Sequence, residues 1–206
     1  MNKQEVQKNL KHILNFSSED LEKLQIFHDE LLKFNKKYNL ISKSTENDIW
    51  HRHILDSAQL VKYIDFYENK SLSDLGSGAG FPGIVLAIFN KNTKFHVKLY
   101  DKSRVKTKFL QSMCDKLKIK AQIYENDYKN HDIDANFIVS RAFKKLEEHI
   151  RISREMIKVS HRLIILKGKS AQDEVKKLNN DFNYSYTLKK SITSPESKII
   201  IIEINK

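Results

Sequence analysis

Asp74, Gly76, Gly78 and Gly80 fall at acid-x-Gly-x-Gly-x-Gly spacing in the stretch SLSDLGSGAGFPGIVLAIF, residues 71–89. Gly83 follows, so four of the chain's five glycines lie in this stretch. Glycine reaches positive φ without strain and lets a ligand lie against the main chain. Two ligand patterns overlap here. Gly78, Gly80 and Gly83 fit the G-x-G-x-x-G of dinucleotide binders, which would make the chain a nicotinamide-dependent oxidoreductase. Asp74 with Gly76, Gly78 and Gly80 fits the turn of S-adenosylmethionine binders instead. A dinucleotide turn needs its strand to run straight into the first glycine, whereas Leu75, Gly76 and Ser77 intervene. Asp74 would repel a pyrophosphate but suits the ammonium of a methionine moiety. The methyl donor is the better match, with Asp74, Gly76, Ser77 and Gly78 as its contacts; the dinucleotide remains the alternative. Pro82 suits the first turn of a helix, which would aim free N–H groups at the ligand. Asp101 lies 21 residues beyond Gly80 and can accept from ribose hydroxyls in either case.

Other residues carry weaker signals. Arg141 and Lys167 each fall at the end of a strand-like run, the edge where α/β folds hold ligands. Arg141 can orient the cofactor or a nucleotide; Lys167 can meet RNA or stay solvated. Lys102, Arg104, Lys106 and Lys108 open a helix and together could hold several phosphates. His51 and His53, two apart on a helix, point to different faces and do not form a metal pair. His53 is expected to pack, or to bond Asp56, and so fix the N-terminal part. Cys114 lies inside a helix and reads as a buried filler rather than a nucleophile. The place after the fourth strand holds Ser140, Arg141, Ala142 and Phe143, not the Asn/Asp-Pro-Pro-aromatic signature of amine methylation. No general base is nominated. An acceptor atom whose lone pair is already free at neutral pH needs none. Holding donor and acceptor in line can itself contribute roughly 7–11 kcal/mol.

These residues require an α/β frame. Short β-branched runs at SLSDL, KFHVKLYD, AQIYEN, NFIVSRA, HRLIILKG, NYSYTLKKSI and KIIIIEIN alternate with helical stretches at 82–89, 102–117, 145–159 and 170–180. That alternation predicts a Rossmann-like, mainly parallel seven-stranded sheet covered on both faces. The last two strands are too close for a crossover and should pair antiparallel. Residues 1–70 read as a helical extension ahead of a domain over 71–206. Ser17 and Asp20 form a capping box for a helix with Leu21, Leu24, Phe27, Leu31 and Phe34 on one face. A further helix should start near Ser44 or Thr45, with Trp50, Ile54, Ala58, Val61 and Ile64 as its stripe.

Composition narrows the partners. Apolar residues make up 40%, with one cysteine and no apolar run of spanning length. A soluble, cytoplasmic chain acting as a monomer, with no membrane partner, is expected. The formal net charge is +11, and its placement is uneven. Residues 1–71 carry 11 basic and 11 acidic side chains; residues 72–206 carry 26 and 15; residues 90–120 carry 10 and 2. A concentrated positive field suggests a polyanionic partner, most simply nucleic acid. A non-catalytic RNA-binding module on the same frame would share this charge.

The pieces YNLIS (38–42), HILDS (53–57), DLGSGAGFPGI (74–84), DKSRVKTKFL (101–110), VSRAF (139–143) and LKG (166–168) occur in an order and spacing that resemble the ribosomal small-subunit methyltransferase G family, also called glucose-inhibited division protein B. The resemblance covers nearly the whole length. It implies a class I methyltransferase fold behind an N-terminal helical extension. The implied activity is transfer of a methyl group from S-adenosylmethionine to N7 of a guanine in 16S rRNA, free or within the small ribosomal subunit. It also implies cofactor contacts from Gly76, Phe81 and Arg141, and a backbone contact near Asn126 and Asp127. RNA contacts are expected from Arg104, Lys106 and Lys167. The turn TSPES departs from the family pattern in being short and lacking Pro-Gly.

Overall fold

The structure, a computed structural model, describes residues 1–126, 131–141, 144–178 and 184–206. Two helices open the chain, α1 over Lys3–His12 and α2 over Ser18–Tyr38. Both start with reciprocal capping boxes, Asn2 with Glu5 and Ser17 with Asp20. Each cap satisfies N–H groups that the helix leaves open, typically contributing ~1 kcal/mol. The Asn2 box has the same sequence signature as the Ser17 box. In α2 the predicted stripe holds: Leu24, Phe27 and Leu31 are buried, with Leu21 and Phe34 at the margin.

The next segment departs from the expected single helix. A 3₁₀ stretch Lys43–Asp48 leads to a π-turn Trp50–Leu55, then α3 (Asp56–Ala58) and a 3₁₀ turn Gln59–Tyr63. Ile64 lies past the end in extended conformation. The wide π-turn buries His53, Ile54 and Leu55 side by side, which a regular helix spreads over different faces.

The sheet then forms from β1 (Ser71–Leu75), β2 (His96–Asp101), β3 (Gln122–Glu125), β4 (Phe137–Arg141), β5 (His161–Lys167), β6 (Tyr184–Lys190) and β7 (Lys198–Ile204). Its order is β3-β2-β1-β4-β5-β7-β6. The first five strands pair in parallel; β7 runs antiparallel between β5 and β6. Helices α4 (Gly83–Phe89) and α5 (Arg104–Leu117) cover one face, with α6 (Leu146–Met156) and α7 (Ala171–Lys176) on the other. The first core joins the N-terminal helices to α4 and α5: Val6, Leu10, Leu24 and Phe27 sit with Ile84, Leu86 and Phe109. The second places Leu146 and Ile150 against Ile138, Leu163 and Ile200. Strand order reverses between β1 and β4, so the crevice for a ligand opens above that junction.

Candidate active site

The glycine turn begins where β1 ends. The N–H groups of Gly76 and Ser77 both donate to the Tyr100 carbonyl at 2.9 Å, and those of Gly80 and Phe81 donate to the Ser77 carbonyl at 2.8 and 3.1 Å. Gly78 N–H donates to Asp101 Oδ2 at 2.8 Å, and Gly83 N–H to Asp74 Oδ2 at 2.9 Å. The expectation of free N–H groups aimed at a ligand is therefore corrected for Gly83: Asp74 accepts its hydrogen bond, and Pro82 caps the helix instead of opening it. With six of its N–H groups already bonded, the turn offers mainly carbonyl and carboxylate oxygens, and such a surface favours a cation over a phosphate. Gly83 also has no room for a side chain. A Cβ there would lie 2.1 Å from Leu99 Cδ2 and 2.6 Å from Asp74 Oδ2.

Asp74 lies fully buried beneath this turn. Its Oδ1 has no hydrogen-bond partner among the described residues. Burial pushes its carboxyl up to about 7, against the pull of the Gly83 N–H. An uncompensated buried carboxylate is costly unless a positive group arrives. At the end of β2, Asp101 accepts from Ser103 N–H at 2.8 Å through Oδ1 while Oδ2 holds Gly78. Each oxygen keeps a lone pair for a further donor. The next strand over brings Glu125 into register with Asp101, and Asn126 follows with φ +90°. Asp127 lies outside the described residues. Tyr100 and Tyr124 stack at 4.6 Å beneath this edge.

On the other side of the junction, Arg141 ends β4. Its guanidinium donates to His53 Nδ1 at 2.6 Å and to the Arg52 carbonyl at 3.0 Å. It also lies 5.1 Å from the Phe81 ring centroid, and Phe81 stacks on His53 at 5.0 Å. Phe81 is buried and meets Phe27 of α2 at 5.2 Å, so it fills the core while standing beside Arg141. Burial, with Arg141 and Arg52 nearby, brings His53 down to about 3, so its ring is neutral and its Nδ1 accepts. The expected His53–Asp56 bond is thus replaced by His53–Arg141. Asp56 instead accepts from Gln59 Nε2 at 2.9 Å and Thr193 Oγ1 at 2.7 Å. Gln59, Ser191 and Thr193 were not legible as site residues, because a contact across 132 residues of chain has no local signal.

A cleft of about 310 Å³ opens here, bordered by Asp56, Arg141, Leu166, Lys167 and Ser197. A second, of about 480 Å³, adjoins it through Asp56, Gly168 and Ser197 and reaches Asp48, His51 and Thr193. Lys167 is committed to Glu174 at 2.8 Å and the Lys144 carbonyl at 2.6 Å, with 10% of its side chain exposed. Arg104 stands exposed and Lys106 half-buried at the start of α5. Cys114 is buried, and burial raises its thiol to about 11, far from a reactive thiolate. His51 faces Asp48 at 3.5 Å, away from the Arg141 contact of His53.

Known proteins resemble this chain in sequence and in fold. The chain is 38% identical over 184 residues to ribosomal RNA small subunit methyltransferase G of Rickettsia bellii, a match covering 89% of this chain and 93% of the relative. In fold it is similar to a SAM-dependent methyltransferase from Aquifex aeolicus, with TM-score 0.60 and 14% identity over 85% of this chain and 97% of that one. It is also similar to an RNA methyltransferase from Salinibacter ruber solved with S-adenosyl-L-homocysteine, with TM-score 0.55 and 14% identity over 73% and 90% of the two chains. These two likenesses bear on the fold, a class I methyltransferase sheet. The family profile described as rRNA small subunit methyltransferase G matches residues 20–201, and with the relative above it shows that the chain belongs to that family.

Proposed function

We infer that the chain is an S-adenosylmethionine-dependent methyltransferase acting on N7 of a guanine in 16S rRNA, free or within the small ribosomal subunit. The observation that carries the cofactor is the turn after β1. Its N–H groups at Gly76, Ser77, Gly78, Gly80, Phe81 and Gly83 are already bonded, and a buried carboxylate oxygen of Asp74 is unpartnered. A pyrophosphate needs those donors; the ammonium of a methionine moiety needs the acceptors. This turn therefore speaks against the nicotinamide alternative.

Asp74, Gly76, Ser77 and Gly78 would hold the amino-acid end, and Asp101 the ribose hydroxyls. Asn126, following Glu125 at the end of β3, would meet the adenine edge, with Asp127 assigned by sequence resemblance alone. Arg141, fixed by His53 and the Arg52 carbonyl, would orient the cofactor beside Phe81. S-adenosylmethionine supplies a methyl group on a positively charged sulfur, an electrophile that a free purine N7 can attack. The chain then has to position rather than deprotonate. In keeping with that, Ser140 at the end of β4 is turned inward onto His149 Nε2 at 2.9 Å. Arg104 and Lys106 would meet phosphates, while Lys167, its charge already paired with Glu174, would border the cleft and meet RNA there without adding a free positive charge. The protein would work as a monomer in the cytoplasm, where ribosomal subunits are.

The direct test incubates the protein with tritiated S-adenosylmethionine and small-subunit RNA and maps the label. Label at a guanine N7 is expected. Label on an exocyclic amine or a carbon would refute the target, and no transfer to any RNA would leave a non-catalytic RNA-binding module.

A further inference from the structure

We propose that Asp56 selects the target base by accepting hydrogen bonds from guanine N1–H and the 2-amino group in the cleft above β4 and β5. The proposal deepens, and rests on, the assignment of a guanine as the methyl acceptor.

The cleft has the right place and size. It lies at the carboxyl ends of β4 and β5, beyond the strand-order reversal and beside the cofactor turn. Its two connected lobes, about 310 and 480 Å³, fall in the range of small-molecule sites. Enzymes that modify a base take it out of its stack and read its Watson–Crick edge in such a pocket.

Within it, the carboxylates are not equivalent. Glu196 is paired with Lys169 at 3.0 Å, and Asp48 faces His51 at 3.5 Å. Asp56 borders both lobes. Its Oδ1 is held by Gln59 and Thr193, which fix the carboxyl plane. Its Oδ2 makes no hydrogen bond among the described residues; the closest positive group is Arg141 Nη1, at 4.0 Å. The side chain keeps 16% of its surface exposed, so this oxygen can be reached. Asp56 is therefore an oriented acceptor whose Oδ2, with two lone pairs, is left to take both guanine donors.

Guanine is the one standard RNA base with two adjacent donors on that edge. Adenine and cytosine each set an acceptor beside their amino group, and uracil has a single N–H. An ionised carboxylate only accepts, so it matches guanine and repels the other edges. Holding the purine by N1 and N2 also leaves N7, on its far side, open to the methyl group.

The test compares guanosine with inosine, which lacks the 2-amino group. Once the methylated guanine is mapped, RNA carrying inosine at that position alone is assayed beside unmodified RNA. Wild type is expected to methylate the inosine RNA about tenfold or more less efficiently in kcat/KM, the scale of one hydrogen bond to a charged group. Asp56→Asn and Asp56→Ala are expected to bring the two RNAs to within about twofold of each other, with S-adenosylmethionine affinity by calorimetry reporting that the fold persists. A purely structural Asp56 would lower both RNAs alike and keep the wild-type ratio, which overturns the proposal. Equal use of the two RNAs by wild type overturns it without any variant. No transfer by wild type to guanosine RNA defeats the underlying function instead.

Discussion

Asp74 sets binding against stability in one side chain. Its ordinary value is 3.8, and burial raises it to about 7 in the folded protein. A raised acid contributes stability in its protonated form, fully present below about pH 3.8 and lost as pH rises through 7. Above that, the ionised group sits buried with one oxygen unpartnered. Asp74→Asn keeps an oxygen for the Gly83 N–H and removes the charge. Apoprotein stability by thermal melting should be no lower than wild type at pH 8, with the difference in the variant's favour growing between pH 4 and 7. S-adenosylmethionine affinity by calorimetry should weaken about tenfold or more, as expected for losing a charge-assisted contact. A variant that binds as tightly as wild type would remove Asp74 from the cofactor site. His53 has the opposite sign. Its folded value of about 3 lies below 6.5, so its contribution is present above 6.5 and lost as pH falls towards 3. In His53→Asn the rise of unfolding free energy with pH, measured by denaturant between pH 4 and 5.5, should be shallower by about 1.4 kcal/mol per unit. An unchanged slope would mean the ring is protonated in the fold.

The elements were legible wherever a short pattern fixed them. All seven strands fall on the β-branched runs, and α2 begins at its capping box, because alternation and caps are local signals. The segment 43–63 was not. Its stripe from Trp50 to Val61 reads as one helix, but Arg141 and Phe81 draw His53 inward, and the backbone widens into a π-turn to put His53, Ile54 and Leu55 inside together. No local pattern encodes a partner 88 residues away. The same division holds for the candidate site: Asp74 was legible from the glycine spacing and Asp101 and Arg141 from their strand ends, while Gln59 and Thr193 had no local signal. The turn between β1 and α4 is an element in its own right, and its fit can be tested. Gly83→Ala would drive a Cβ into Leu99 and into the Asp74 oxygen that accepts from Gly83 N–H. Overpacking of that kind typically costs 1–3 kcal/mol, and displacing Asp74 adds to it. A melting temperature lowered by at least several degrees is expected, together with loss of S-adenosylmethionine binding. A variant that melts like wild type would show that α4 can slide away from β2.

Over the whole molecule, charge and fold divide the labour. The N-terminal part is balanced, 11 basic to 11 acidic residues over 1–71, and five of its acidic residues pair with basic residues beyond it. Asp20 of α2 pairs with Lys91, and Glu30 with Lys116 at 2.9 Å, both lysines belonging to the α4–α5 side. Aromatic contacts reinforce that seam: Phe27 of α2 meets both Phe81 and Phe109. The excess positive charge lies beyond residue 71. At the mouth of the cofactor crevice, Lys102, Arg104, Lys106 and Lys108 make no ion pair with the described residues, so their field is available to a polyanion. Lys167 is different, since Glu174 neutralises it. Each RNA phosphate neutralised by a lysine or arginine releases counterions, and the logarithm of the binding constant falls with the logarithm of salt by about 0.7–0.9 per contact. Arg104→Ala with Lys106→Ala should therefore flatten that slope, measured by filter binding of small-subunit RNA across a salt series, by about 1.4–1.8 if each side chain holds one phosphate. S-adenosylmethionine affinity should stay at the wild-type value, because the hydrogen bonds of the glycine turn described above run to Tyr100, Ser77, Asp101 and Asp74 and none to either side chain. Lys167→Ala, by contrast, should leave the slope close to wild type and act on kcat/KM through the freed Glu174. An unaltered slope in the double variant would move the RNA path off α5 and leave the positive field there without a polyanion to serve.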